Sequence, residues 1–122
     1  EPHQTENKQD ASESVFLTKA IELVEKNLHV PGYSVEQLSR DLCMERTGLY
    51  RKLVAMLDQS PSLFIRNIRL QRAAQLILEG SLSITEIAER TGFSSSSYLS
   101  KCFQEMYGCR PSEYAEKMQK ST

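Results

Sequence analysis

The 122-residue chain has no tryptophan, two histidines and three cysteines, and these scarcities narrow what it can do. Cys43, Cys102 and Cys109 are odd in number and lack metal-type spacing, and His3 and His29 lie far from them in sequence, so reduced, partly buried thiols are expected rather than a disulfide or a metal site. No apolar run approaches the roughly 18–20 residues that cross a bilayer, and no charged-then-apolar leader opens the chain. These features describe a soluble, cytoplasmic domain without membrane contact. Ser/His/Asp and Cys/His patterns, phosphate-cradling glycine loops and metal-ligand clusters are also missing, so the expectation is a non-enzyme with no cofactor. The carboxylate pairs Glu22–Glu25 and Glu86–Glu89 read most simply as solvent-facing helix surface.

What remains is 39% hydrophobic residues, enough for the small core of one compact domain. The net charge of −1 gives no sign of a polyanionic partner, but its distribution does. Residues 1–14 carry Glu1, Glu6, Asp10 and Glu13 against Lys8, a net of −3. Between positions 46 and 72, Arg46, Arg51, Lys52, Arg66, Arg69 and Arg72 face only Asp58, a net of +5. A local basic stretch is the electrostatic footprint of nucleic-acid binding, although a charge run is more often just a solvated face.

Residues 1–12 are polar and aperiodic and read as a disordered linker or tail, with regular structure starting near Ser12 or Glu13. From Val15 to Leu28 apolar residues recur at helical spacing until Pro31-Gly32. Ser34 with Gln37 forms a capping-box pattern for a second helix. A third runs over 46–57, and Ser60-Pro61-Ser62 then opens a long helix to Glu79, closed by Gly80. Ser83 with Glu86 caps the next, which Gly92 ends; a polar cap within 94–96 starts a helix over 96–107, and Pro111-Ser112 begins the last. Nothing alternates like a strand. The fold class is all-α with about seven helices, divided into a tail 1–12 and a domain 13–120.

Internal self-similarity explains this layout. Residues 34–38 (SVEQL) match 83–87 (SITEI), and Cys43-Met44 matches Gly92-Phe93, all at an offset of 49. Beyond the turn the offset is 50, pairing Leu49 with Leu99, Arg51 with Lys101, Leu53 with Phe103, Met56 with Met106, Pro61-Ser62 with Pro111-Ser112, and Phe64 with Tyr114. Each half is therefore helix, tight turn, helix: the helix-turn-helix unit, whose second helix protrudes and can enter a major groove. The units lie at about 13–60 and 83–120, joined by a connector helix at about 62–79. One helical hairpin is weak evidence, because such hairpins also arise as mere packing. Two copies on one rigid connector suit two grooves about 34 Å apart.

Three stretches resemble the signature of AraC/XylS-type transcription regulators: Ile84-x-x-Ile87-Ala88-x-x-x-Gly92-Phe93, Tyr98-Leu99-Ser100-Lys101-Cys102-Phe103, and Gly108-x-x-Pro111-Ser112-x-Tyr114. Arg69-Leu70-x-x-Ala73 and Leu49-Tyr50-Arg51-Lys52-Leu53 also fit, so the likeness runs from about Phe16 to Met118. The first unit is further similar to output domains of hybrid two-component sensors of Bacteroides-type bacteria. The resemblance implies a homeodomain-like fold that binds double-stranded DNA sequence-specifically. It also implies contact with RNA polymerase, and a sensor or receiver region elsewhere in the full-length protein that carries dimerisation and effector control.

Helical geometry gives the DNA-facing candidates. With Leu49, Leu53 and Met56 inward, Thr47 and Arg51 point out and Tyr50 flanks them; with Leu99, Phe103 and Met106 inward, Ser97 and Lys101 point out beside Ser100. The resemblance adds Ser96 to the base-facing set. Arg51 is the leading specificity residue, since a guanidinium bonds bidentately to guanine; Lys101 acts as a less directional point charge. Tyr50 alternatively packs between helices, and Ser94 to Ser97 alternatively only cap a helix and bond phosphate. Arg46, Lys52, Ser95 and Arg110 are the phosphate candidates. Arg66, Arg69 and Arg72 lie on the connector, where the alternatives are further phosphate contacts and salt bridges within the domain, the salt bridges being the simpler reading. The first unit departs from the family pattern with Gly48 inside its recognition helix, Glu45 at the N-cap and Cys43 in place of the turn glycine, and is expected to be looser and less base-specific than the second. A helical protein-interaction module is the competing reading, but it leaves the matched outward triads unexplained.

Overall fold

A computed structural model describes the backbone of residues 3–120 and the side chains of residues 11–119. The described residues form seven helices: α1 (His3–Lys26), α2 (Val35–Asp41), α3 (Arg46–Leu57), α4 (Pro61–Glu79), α5 (Ile84–Arg90), α6 (Ser96–Tyr107) and α7 (Pro111–Lys120). None is long and apolar enough to cross a membrane.

The expected tail is corrected by this structure. α1 begins at His3 rather than near Ser12, and only residues 1–2 of that segment lie outside the described residues. Helix formation has a costly nucleus but cheap propagation. Once Phe16, Ala20, Val24 and Leu28 dock into the core, the helix extends backward through polar residues without needing an apolar face of its own.

The side chains of α4 divide between two cores. Its first half supplies Phe64, Ile65 and Ile68 to a cluster with Phe16, Ala20, Val24, Leu28, Leu38, Leu49 and Leu53. Its second half supplies Leu70, Ala73, Ala74 and Leu76 to a cluster with Ile87, Ala88, Phe93, Leu99, Cys102 and Phe103. One 19-residue helix thus serves as the wall of both units, which fixes their separation. Proline at its first turn and Gly80 in the left-handed C-cap conformation set its ends, and Ser60 Oγ accepts from Leu63 N at 3.3 Å.

The two turns have the same hydrogen bonds. After α2, Cys43 N donates to Arg40 O and Met44 N to Ser39 O, both at 2.9 Å. After α5, Gly92 N donates to Glu89 O at 3.3 Å and Phe93 N to Ala88 O at 2.9 Å. This is the Schellman helix ending, which puts one residue at positive φ. That residue is Gly92 (φ 80°) in the second unit and Cys43 (φ 56°) in the first. A β-carbon at Gly92 would collide with the Arg69 guanidinium and the Leu28 carbonyl, whereas exposed Cys43 carries its side chain at the cost of backbone strain.

Start caps differ as well. Ser95 Oγ accepts from Tyr98 N at 3.0 Å at the start of α6, but Glu45 makes no side-chain cap for α3. α5 has a full capping box, in which Ser83 N donates to Glu86 Oε1 at 3.0 Å and Glu86 N to Ser83 Oγ at 3.2 Å. The backbone N–H of Ser83, then its side chain, hold the Glu86 carboxyl below its ordinary pKa.

Met106, expected inside with Leu99 and Phe103, is 40% exposed. The Phe103 ring is covered instead by Tyr107 and Tyr114, with centroids 4.5 and 5.2 Å away, which leaves no inward place for Met106.

Cys43→Gly should stabilise the domain by about 0.5–1 kcal/mol in urea unfolding, while Gly92→Ala should cost about 3 kcal/mol through left-handed strain plus overpacking. At Gly48 a β-carbon would meet only Met44 Cε at 3.9 Å, so Gly48→Ala should stabilise by about 1 kcal/mol. Destabilisation by Gly48→Ala would show that the helix position is not free.

Candidate nucleic-acid interface

Arg69 holds the two units together. It is 6% exposed, and its guanidinium bonds carbonyl oxygens from both halves rather than a carboxylate, correcting the expected salt bridge. Nη1 donates to Leu28 O (2.5 Å) and to Thr91 O (2.7 Å). Nη2 donates to Val30 O (3.3 Å) and Tyr33 O (3.5 Å). Leu28, Val30 and Tyr33 lie in the loop between α1 and α2 of the first unit; Thr91 is the C-cap of α5, directly before the second turn. Burial lowers the Arg69 pKa from its ordinary value, but a guanidinium remains charged in proteins. Arg72 is likewise not salt-bridged: its Nη1 donates to Gln75 Oε1 at 2.8 Å. Arg66 is half-buried, and its Nε has no acceptor.

Smaller contacts fix the same scaffold. Tyr33 OH donates to Asp41 Oδ2 at 2.9 Å, tying the α1–α2 loop to the end of α2; burial, then the Asp41 carboxylate, raises its phenol pKa well above the ordinary value. Fully buried Thr91 donates its hydroxyl to Ile87 O at 2.7 Å. It thereby closes α5 and leaves its own carbonyl for Arg69.

On α3, Thr47, Tyr50 and Arg51 are all exposed, with Tyr50 and Arg51 each about one helical turn beyond Thr47 and Arg46 exposed beside them. Tyr50 is 53% exposed, so it does not pack between helices. On α6, Ser97 and Lys101 are exposed, matching Thr47 and Arg51, while Ser96 is half-buried in the first turn. Ser100 departs from the outward triad. It is half-buried and lines a cavity of about 440 Å³ with Ile84, Ile87, Arg110 and Pro111, on the side facing α5 and α7.

The phosphate candidates differ in how free they are. Arg46 is exposed at the start of α3. Lys52 Nζ lies 4.5 Å from the centroid of the Phe16 ring, a cation–π contact that draws it toward α1. Ser95 Oγ is occupied as a cap, and Arg110 Nε lies 3.6 Å from Glu113 Oε1, both exposed. Exposed pairs of this kind are weak and easily exchanged for another anion. Tyr98, 45% exposed with its ring 5.8 Å from Phe93, is a further exposed aromatic at the start of α6, outside the outward triad. Its register, equivalent to Gly48, gave no signal in the first unit.

Comparison with known proteins bears on this arrangement. Residues 38–117 match the model of a family described as a helix-turn-helix domain. The chain is 39% identical over 99 residues to histidine kinase P4 of Formosa agariphila, covering 81% of this chain and 7% of that protein. It is 32% identical over 97 residues to the HTH-type transcriptional regulator ArgR of Pseudomonas aeruginosa, covering 80% of this chain and 29% of that protein. It therefore spans under a third of the length of both relatives. Among solved structures, a transcriptional regulator of Chromobacterium violaceum, described as having an AraC-type DNA-binding domain, is 29% identical with a TM-score of 0.79 over 88% of this chain and 95% of that one. With its duplicated turns, single connector and matched outward faces, the chain belongs to the AraC-type helix-turn-helix family of DNA-binding domains in transcription regulators.

Proposed function

We propose that this domain reads double-stranded DNA with α3 and α6 in two successive major grooves of one duplex. The observation that carries this reading is the pairing of two hydrogen-bond-identical turns, each followed by a protruding helix, on one connector clamped by Arg69. Independent hairpins would have no need of a shared clamp.

Base contacts are assigned to Thr47, Tyr50 and Arg51 on α3, and to Ser96, Ser97, Ser100 and Lys101 on α6. Ser100, half-buried, is the least accessible of these four residues of α6 together with Ser96. Arg46 is the best-placed phosphate contact; Lys52 and Arg110 join by exchanging their present partners, and Ser95 by donating the hydroxyl proton that its cap leaves free. With Arg51 opposed by Lys101, α3 offers the sharper guanine readout, despite being the less well capped helix.

The domain acts by binding and not by catalysis, in the cytoplasm, where its DNA is. Its likeness to a small part of a histidine kinase supports its role as the output segment of a larger sensor protein, with sensing and dimerisation supplied by regions outside this chain. RNA polymerase is the natural second partner of a regulator of this family.

Arg51→Ala should weaken binding to a preferred duplex by about 1–3 kcal/mol while leaving non-specific duplex nearly unaffected, measured by fluorescence anisotropy. An equal loss on every sequence would make Arg51 a phosphate contact instead.

A further inference from the structure

Between the two units the surface opens into a cleft of about 610 Å³. Its walls come from the first turns of α4, the loop after α1, and the segment leading into α6. Ser60, Ser62, Ser94, Tyr98, Arg66 and Arg69 supply its polar groups, and no lining residue is acidic. The two arginines have different situations. Arg69 spends its donors on four carbonyl oxygens. Arg66 is half-buried, makes no ion pair, and keeps its Nε dry without an acceptor. Only its Nε is dry; a guanidinium offers five donors and accepts nothing, so its two terminal Nη groups are the donors left for an incoming oxyanion.

We propose that Arg66 is a phosphate-binding residue, and that its occupant is a backbone phosphate of the duplex between the segments read by α3 and α6. The planar fork of an arginine matches two phosphate oxygens, and the hydroxyls of Ser62 and Ser94, exposed in the same cleft, add neutral donors. Location selects the DNA backbone over a free anion. The cleft begins just past the end of α3 and ends at the start of α6. A duplex engaged in two successive major grooves passes its intervening backbone across that interval. This site rests on the DNA-reading function above. It adds a contact that is blind to sequence and registers the two reading helices against one strand.

The test uses this 122-residue chain and a duplex it prefers, titrated by anisotropy at several salt concentrations. Arg66→Gln should lower the salt slope of log K by about one and weaken binding to all sequences alike, while Arg66→Lys keeps the slope. A single methylphosphonate linkage placed between the two read segments should weaken the unaltered protein by the same factor and leave Arg66→Gln unaffected. Should Arg66→Gln fail to fold, as judged by circular dichroism, Arg66→Met, which keeps the aliphatic stem and loses the charge, replaces it in both comparisons. An unchanged slope in Arg66→Gln, or an equal methylphosphonate penalty in both proteins, overturns the proposal. So does a higher melting temperature in inorganic phosphate than in chloride of equal ionic strength, if it depends on Arg66 while the DNA slope does not, because the site would then hold a free anion. Failure of the DNA-reading function itself would look different: the unaltered chain would bind no duplex even at low salt.

Discussion

The Arg69 guanidinium is the point on which the arrangement of this domain depends. A charged side chain taken out of water needs several acceptors to be tolerable. Here they are main-chain carbonyls of Leu28, Val30 and Tyr33 on one side and Thr91 on the other. Each hydrogen bond from a charged donor contributes about 1.5–3 kcal/mol, offset by the desolvation of the group. The larger consequence is geometric, since the bonds are made only while both units keep one orientation on α4. Gly92 is part of the same device, because its missing β-carbon is the space into which the guanidinium fits.

Around that clamp the two units are unequal. The second has glycine in its left-handed turn, a serine cap on its reading helix and a full capping box on the helix before it. The first has Cys43 at positive φ, an uncapped α3 and Gly48 within that helix. Each deficit is worth about 1 kcal/mol, so together they leave α3 less well secured than α6. Yet α3 carries Arg51, the side chain best suited to bidentate base recognition. A reading helix that firms up on DNA would spend binding energy on its own ordering and discriminate by how well the duplex supports it.

Much of this was legible in the sequence, and the parts that were not share a cause. The bounds 46–57 and 96–107 of the reading helices follow from caps and breakers that act within a few residues, and the structure has the same bounds. The 49-then-50 offset likewise has a local meaning: the turns are identical, and one extra residue precedes the second reading helix. Long-range features were less accessible. Arg69 read as a salt-bridged connector residue, because its carbonyl partners lie 22 to 41 residues away in sequence. Met106 fitted the apolar stripe of α6, but α7 brings Tyr114 to that face. Ser100 was placed beside the outward residues by angle alone, and the cavity it shares with Ile84, Ile87 and Pro111 depends on α5 and α7 packing next to it. The start of α1 was missed for another reason, since propagation into polar residues leaves no apolar periodicity to read.

Selection of binding sites from a random duplex pool with this chain tests the central claim most directly. Two rigidly joined reading helices predict two blocks of preferred bases at one fixed spacing, about 10 base pairs centre to centre. A single block, or two blocks tolerated at many spacings, would contradict a clamped pair of units reading successive grooves.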